Sequence, residues 1–175
     1  MKKVLIVVDM QNDFIDGALG TKEAQAIVGN VVKKIRDYEG HLVIATKDTH
    51  GEDYLNTSEG RHLPVPHCIK GTKGWEIRDE IAEELKNTGA KVIEKPTFGS
   101  EQLAEYLGEM AQKEELEIEL AGLCTDICVV SNALLLKAKI PESVIKINAD
   151  CCAGVTVESH EAALLTMKMC QIEII

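Results

Sequence analysis

Aromatic side chains are scarce: they make up 3% of the 175 residues, with one tryptophan and two phenylalanines, although 45% of the chain is apolar. The core must therefore be aliphatic, built from Val, Ile, Leu and Ala, and so much apolar content excludes disorder. Positive charge is short as well. Nineteen Lys plus Arg stand against 29 Asp plus Glu, a formal charge of −10, which lacks the basic footprint of a nucleic-acid-binding protein. No apolar run approaches the ~20 residues of a membrane span. The opening Met1-Lys2-Lys3, five apolar residues and then Asp9 is too short for a secretory signal. These features predict a cytoplasmic protein with neither membrane nor nucleic acid as partner. Also missing are a Gly-x-Gly-x-x-Gly, a Walker loop and a Cys-x-x-Cys, which leaves dinucleotide, nucleotide-phosphate and zinc-ribbon readings without support. The six cysteines (Cys68, Cys124, Cys128, Cys151, Cys152, Cys170) then read as reduced thiols rather than a disulfide framework.

At this length a domain buries roughly 70% of the surface its unfolded chain exposes, so residues 1–175 are read as a single domain. Short β-branched runs alternate with stretches of helical period, the mark of βαβ units. The strands expected are Val4–Val8, Leu42–Thr46, Lys91–Glu94, Glu117–Ala121, Ser143–Asn148 and Gln171–Ile174. Val4–Val8 is unbroken and apolar, as in a parallel strand buried on both faces. Between the strands, Ile27, Val28, Val31, Val32 and Ile35 define a helix capped by Thr21. Ile77, Ile81, Ala82 and Leu85 define another, and Leu103, Leu107 and Met110 a third capped by Ser100. Two more helices are expected over about 126–138 and 157–168, and a loop over about 49–74. The sum is a doubly wound, three-layer α/β/α fold of Rossmann-like type, around a six-stranded, mostly parallel sheet.

Ligands bind such sheets outside the carboxyl ends of the strands, and ionisable residues collect there. Asp9 follows a fully apolar strand, so its carboxylate needs a cation or hydrogen bonds, and Lys95 at the end of the third strand could supply one. A structural ion pair or helix cap is the ordinary alternative. In Gly122-Leu123-Cys124-Thr125-Asp126-Ile127-Cys128, Thr125 or Asp126 opens a helix and places Cys128 in its first turn. There the N–H groups and positive dipole end favour a thiolate and could also receive an oxyanion. Most single cysteines are buried and inert, and Cys68, Cys151, Cys152 and Cys170 are read that way. Asp48-Thr49-His50 puts a carboxylate and an imidazole on one side of a strand end. With His67 they make a set suited to Zn, Fe or Mn. His41 and His160 are expected to be solvated or structural.

Five blocks, in order, carry a family resemblance. They are Val8-Asp9-Met10-Gln11-Asn12-Asp13-Phe14, Asp48-x-His50, Pro66-His67-Cys68-Ile69-Lys70-Gly71-Thr72, Glu94-Lys95-Pro96-Thr97-Phe98 and Gly122 to Val129. The chain resembles the isochorismatase-like cysteine hydrolases from residue 4 to about 160, and within them the nicotinamidase (pyrazinamidase) branch. The resemblance implies an Asp9-Lys95-Cys128 triad. Asp9 takes the thiol proton and Lys95 holds Asp9 and lowers the thiol pKa. The backbone N–H groups of Cys124 and Cys128 hold the oxyanion, behind a cis Leu123-Cys124 peptide. It also implies one divalent transition metal, zinc first and Fe or Mn next, on Asp48, His50 and His67. Glu59 is favoured over His62 as the further ligand. The implied substrate is nicotinamide or a similar small aromatic amide, in a pocket touched by Phe14, Phe98 and Leu123, and the implied assembly is a homo-oligomer.

One departure bears on that pocket. The residues before His67 are Leu63-Pro64-Val65-Pro66, where nicotinamidases often carry a tryptophan. Trp75 either covers the pocket instead or anchors the core. Rival readings are isochorismatase proper, which typically lacks the nucleophilic cysteine, and related amidases acting on another small amide or carbamoyl compound, which lack the metal set. A non-catalytic thiol or metal-binding module is the reading from outside the enzymes.

Overall fold

The computed structural model describes residues 1–175. Six strands, β1 (Lys2–Val8), β2 (Leu42–Asp48), β3 (Lys91–Lys95), β4 (Leu116–Leu123), β5 (Val144–Ala153) and β6 (Glu173–Ile174), form one sheet in the order β3-β2-β1-β4-β5-β6. Every neighbouring pair is parallel, so the mostly parallel sheet expected is wholly so. The chain winds outward from β1 to β3 and then returns past β1 to β4. The strand order therefore reverses between β1 and β4, and a crevice opens at their carboxyl ends.

Seven helices flank the sheet: α1 (Asn12–Ile15), α2 (Lys22–Asp37), α3 (Ser58–His62), α4 (Asp79–Asn87), α5 (Glu101–Ala111), α6 (Val130–Lys139) and α7 (Val157–Met169). Each face of the sheet has its own aliphatic core. On one side Val4, Ile6 and Ile118 pack with Leu103 and Leu107 of α5, Leu136 of α6 and Met167 of α7. On the other, Leu5, Val7 and Val43 pack with Ile27 and Val31 of α2 and Ile81 and Leu85 of α4. The alternation of Val4–Val8 between the two clusters is the period-2 projection of a strand buried on both faces. Thr21 and Ser100 cap α2 and α5 as expected, accepting from the Ala24 and Leu103 amides at 3.0 and 3.1 Å. No helix is long and apolar enough to cross a membrane.

The differences from the sequence pattern gather near the crevice. β5 runs on to Ala153, after its register with β4 shifts between Leu120 and Gly122. Gly122 sits at φ +122°, and a Cβ there would collide with the Val8 carbonyl oxygen, so only glycine lets β4 and β1 close up at this point. Residues expected as loop hold a 3₁₀ turn at Tyr54–Asn56 and the α3 helix. The segment expected to open a helix near residue 126 is a π turn, Thr125–Val129, running into α6. Ile77 lies outside α4 and bridges to Gln11 instead.

Candidate active site

At the carboxyl end of β1, Asp9 takes φ +47°, a left-handed turn that aspartate tolerates better than most residues. Its carboxylate is fully buried. One oxygen accepts from Thr46 Oγ1 at 2.7 Å and the other lies 2.6 Å from Lys95 Nζ. Lys95 closes β3, next to β2, and its buried ammonium also donates to the Thr97 carbonyl at 3.0 Å and to Cys128 Sγ at 3.4 Å. It stands 3.5 Å from Asp48 Oδ1 as well. One cation thus joins the ends of β1, β2 and β3 to the turn after β4.

Burial pushes the Asp9 carboxyl up, against the pull of Lys95. Burial works against the Lys95 charge too, but Asp9, Cys128 and Asp48 together hold the ammonium above the ordinary lysine range. The Cys128 thiol is pushed well up, first by burial and then by the Asp9 carboxylate, with Lys95 opposing. Lys95 acts in the expected direction, but burial and Asp9 outweigh it, so the thiol is not held low as the helix start suggested. The buried Cys128 thiol thus lies beside a buried carboxyl that burial also pushes up.

The turn that carries Cys128 is short and tightly held. The Leu123-Cys124 peptide is cis, as the resemblance implies, and the Cys124 carbonyl accepts from the Ile127 and Val129 amides at 3.1 and 3.0 Å. Thr125 Oγ1 meets His160 Nδ1 at 2.8 Å, so of the two roles expected for His160, solvated or structural, it has the structural one, and Asp126 accepts from the Val155 amide.

Beside Lys95, Asp48, His50, Glu59 and His67 bring one ligand atom each within 4.8 Å of all the others. Asp48 Oδ2 lies 2.9 Å from His50 Nε2 and 3.6 Å from His67 Nε2. Glu59 Oε1 lies 3.7 and 3.5 Å from the same two nitrogens. Donors at about 2.1 Å from a common tetrahedral centre stand about 3.4 Å apart, so the two-nitrogen, two-oxygen set fits a divalent transition metal. His67 engages the Val65 carbonyl through Nδ1 at 2.8 Å, which orients Nε2 toward the cluster. Burial opposes charge on His67, yet hydrogen bonds to Asp48 and Glu59 carry its pKa up to about 10. Burial opposes charge on Asp48 too, but His50 and His67 hold its carboxyl well below the usual range. Glu59 rather than His62 joins the cluster, and His62 Nδ1 is held at the Ser58 carbonyl.

The two groups share one cavity of about 720 Å³, whose wall includes Phe14, Phe98, Glu59, His67, Cys124 and Cys128. A larger groove, about 930 Å³, lies at the amino ends of the strands among Glu105, Glu109, Glu142 and Lys139 and contains no comparable set. Two expected wall residues are elsewhere. Leu123 is fully buried in the core on the α2 side, because in the strand its side chain points into the sheet face. Trp75 packs on that core from outside, donates through Nε1 to Thr49 Oγ1 at 2.9 Å and lies under the Lys47 ammonium. Its backbone carbonyl accepts from Gln11 Nε2, so it anchors a loop rather than walling the pocket. Cys68, Cys151 and Cys152 are buried as expected, whereas Cys170 is exposed.

Sequence reasoning missed four buried or partly buried polar residues that hold the site. Thr46 orients Asp9. Gln11 engages the Asp48 backbone, and Asp13 accepts from the Cys68 amide next to His67 at 2.8 Å. Asn132 bonds to the Cys128 carbonyl. The available signal was polar residues following or interrupting apolar runs, which for Gln11 and Asp13 fell inside a block already singled out.

A doubly wound sheet whose crevice sets a buried cysteine against an Asp-Lys pair, with a His and carboxylate cluster alongside, defines the isochorismatase-like class of α/β cysteine hydrolases. The chain belongs to the Isochorismatase domain family, whose family model matches residues 3–175. It is 29% identical over 194 residues to the nicotinamidase/pyrazinamidase of Mycobacterium tuberculosis, covering 99% of this chain and 98% of that one. The crystal structure of the Pyrococcus horikoshii pyrazinamidase in complex with zinc superposes with a TM-score of 0.83 at 30% identity, covering 100% and 99% of the two chains. That of the Bacillus subtilis nicotinamidase/pyrazinamidase gives 0.85 at 28%, covering 99% of each.

Proposed function

We propose that this protein is an amidohydrolase that converts nicotinamide, or a closely similar small aromatic amide, to the acid and ammonia through a cysteine thioester. The observation that carries the reading is the single Lys95 ammonium in contact with Asp9, Cys128 and Asp48 at the edge of one pocket. The names of the relatives add the substrate class.

Asp9, held by Thr46 and Lys95, accepts the Cys128 proton as sulfur attacks the amide carbon. The backbone N–H groups of Cys124 and Cys128 receive the developing oxyanion. Asp9 returns the proton to the nitrogen, the C–N bond breaks and ammonia leaves. Water then adds to the thioester, giving its proton to Asp9, and the C–S bond breaks to release the acid and restore the thiol. Lys95 keeps a positive charge beside these steps, so that Asp9 can alternate between charged and neutral forms in a buried site. Phe14 and Phe98 offer ring faces to a flat substrate. Asp48, His50, Glu59 and His67 would hold a divalent metal, for which zinc is our first assignment and Fe or Mn the next. Its chemistry there is to bind a donor atom of the substrate and fix the ring.

Six free thiols suit a reducing compartment, which supports a cytoplasmic location. The continuous sheet supports one domain over residues 1–175. A homo-oligomer is the assembly proposed, on the family resemblance. Ammonia release from nicotinamide, pyrazinamide and carbamoyl substrates, with and without chelator, tests the reading. The expected result is turnover of the aromatic amides that chelator removes and that Cys128→Ala abolishes without loss of fold. Turnover unchanged in Cys128→Ala would overturn it, and turnover of carbamoyl substrates alone would move the chain to the other amidases.

A further inference from the structure

The geometry points to Asn132 as a positioning residue that locks the loop after β3 to the turn carrying Cys128; this rests on the amidohydrolase reading and extends it. Asn132 lies in the first turn of α6, one turn beyond Cys128, and is 1% exposed. Its amide makes three hydrogen bonds. Nδ2 donates to the Cys128 carbonyl at 2.8 Å and to the Phe98 carbonyl at 3.1 Å, and Oδ1 accepts from the Ser100 amide at 3.0 Å. Both N–H donors and the acceptor are thus used, and the opposite polarity of the partners fixes which way the amide faces.

The two segments joined are those whose relative placement the chemistry needs. On one side is the backbone of Cys128 itself. On the other is the run from Lys95 to Ser100, which contains the ammonium at Cys128 Sγ, the Thr97 carbonyl that holds that ammonium, and the Phe98 wall of the pocket. The run ends in Ser100, the buried cap of α5, so its far end is anchored. Its near end is anchored in β3. Asn132 ties Phe98 in its middle to the backbone of the nucleophile turn, a second link beside the Lys95 ammonium that bridges the Thr97 carbonyl and Cys128 Sγ. Asparagine is a poor helix former, and burying its amide is costly unless every bond is made. Three satisfied bonds at this position fit a clamp rather than a filler.

A residue that sets distance acts on the chemical step, since a displacement of about 1 Å at reacting atoms can cost about 100-fold in rate. The test measures kcat and KM for nicotinamide, melting temperature, and Cys128 labelling by iodoacetamide read at that residue by mass spectrometry. Asn132→Ala should lower kcat by about 100-fold, with a much smaller change in KM, and should slow Cys128 labelling at least about fivefold, as the thiol leaves its proton acceptor. Asn132→Thr, whose hydroxyl can still bond back to the Cys128 carbonyl, should recover part of both losses. Asn148→Ala is the control, because Asn148 is a partly buried amide that bonds to Glu119 away from the pocket; it should lower stability and leave kcat unchanged. If Asn132→Ala folds and keeps kcat and labelling within twofold of wild type, the proposal is overturned. If that variant does not fold, Asn132→Thr decides: a fall in kcat at an unchanged melting temperature supports the clamp, and an unchanged kcat overturns it. Should the wild type fail to hydrolyse nicotinamide, the substrate reading fails by itself, and the labelling rates still decide the role of Asn132.

Discussion

Gln11 grips the backbone of Asp48 at both of its polar groups: its Oε1 accepts from the Asp48 N–H at 2.7 Å and its Nε2 donates to the Asp48 carbonyl at 2.8 Å. The same Nε2 reaches the Trp75 carbonyl at 2.8 Å. Gln11 is fully buried, so no water replaces these bonds if they are lost.

Gln11→Leu should therefore weaken metal binding through Asp48 by about 10- to 100-fold, the usual cost of losing a residue that orients a ligand. Titration of the purified protein with zinc, read by calorimetry against the wild type, checks this. Equal affinity would show that Asp48 is held by β2 alone.

Lys95→Met removes the cation and leaves Asp9 buried without its ion pair. Breaking a buried pair from one side costs about 3–5 kcal/mol. The variant should lose that stability in urea denaturation at pH 7. It should also lose amide hydrolysis, because nothing then opposes the effect of burial and of Asp9 on the Cys128 thiol.

Another buried carboxylate, far from the crevice, sets an acid limit on the fold. Glu119 in β4 accepts from Tyr38 OH at 2.8 Å and Asn148 Nδ2 at 3.0 Å and pairs with Lys34 at 2.9 Å. Burial pushes its pKa up, but these partners outweigh burial and bring it below the ordinary 4.5. A depressed carboxyl stabilises the fold above its unfolded value, and that contribution is lost as pH falls through the folded one. Glu119→Gln should thus cost about 2 kcal/mol at pH 7, and the gap from wild type should close as pH falls from the ordinary carboxyl value through the lower folded one. Urea midpoints at several pH values would show it; a gap independent of pH would remove Glu119 from the acid response.

Gly122→Ala should destabilise by about 3 kcal/mol or more, because the added methyl meets the Val8 carbonyl and the φ is one that alanine avoids. The expected sign is a large drop in melting temperature, with lost activity where the chain still folds. A neutral result would mean that β1 and β4 can separate at this point without penalty.

The strands and the caps of α2 and α5 were legible because they depend on local pattern. Val4–Val8 shows burial on both faces by composition alone, and Thr21 and Ser100 mark helix starts by residue type. Asp9, Asp48, His50 and Lys95 were legible because each stands at or just past the carboxyl end of a strand, and Cys128 because it stands in the turn that follows β4. What the pattern hid depends on contacts between residues distant in sequence. Glu119 sits in the middle of a strand with partners 81 and 29 residues away in Tyr38 and Asn148. The anchoring role of Trp75 is hidden from local pattern because its Thr49 partner is 26 residues away. The upward shift of the Cys128 thiol follows from burial next to Asp9, which helix position alone does not reveal.

The order of the sheet, β3-β2-β1-β4-β5-β6, has a consequence for how activity would return after unfolding. Asp9, Asp48, Lys95 and Cys128 leave four strands whose parallel pairings each require a crossover, and such non-local contacts form slowly. Helices can regain their circular dichroism long before these four side chains share a volume. In a refolding experiment, then, recovered turnover would report the registration of β1 with β2 and β4 and of β3 with β2, and would lag behind the far-ultraviolet signal.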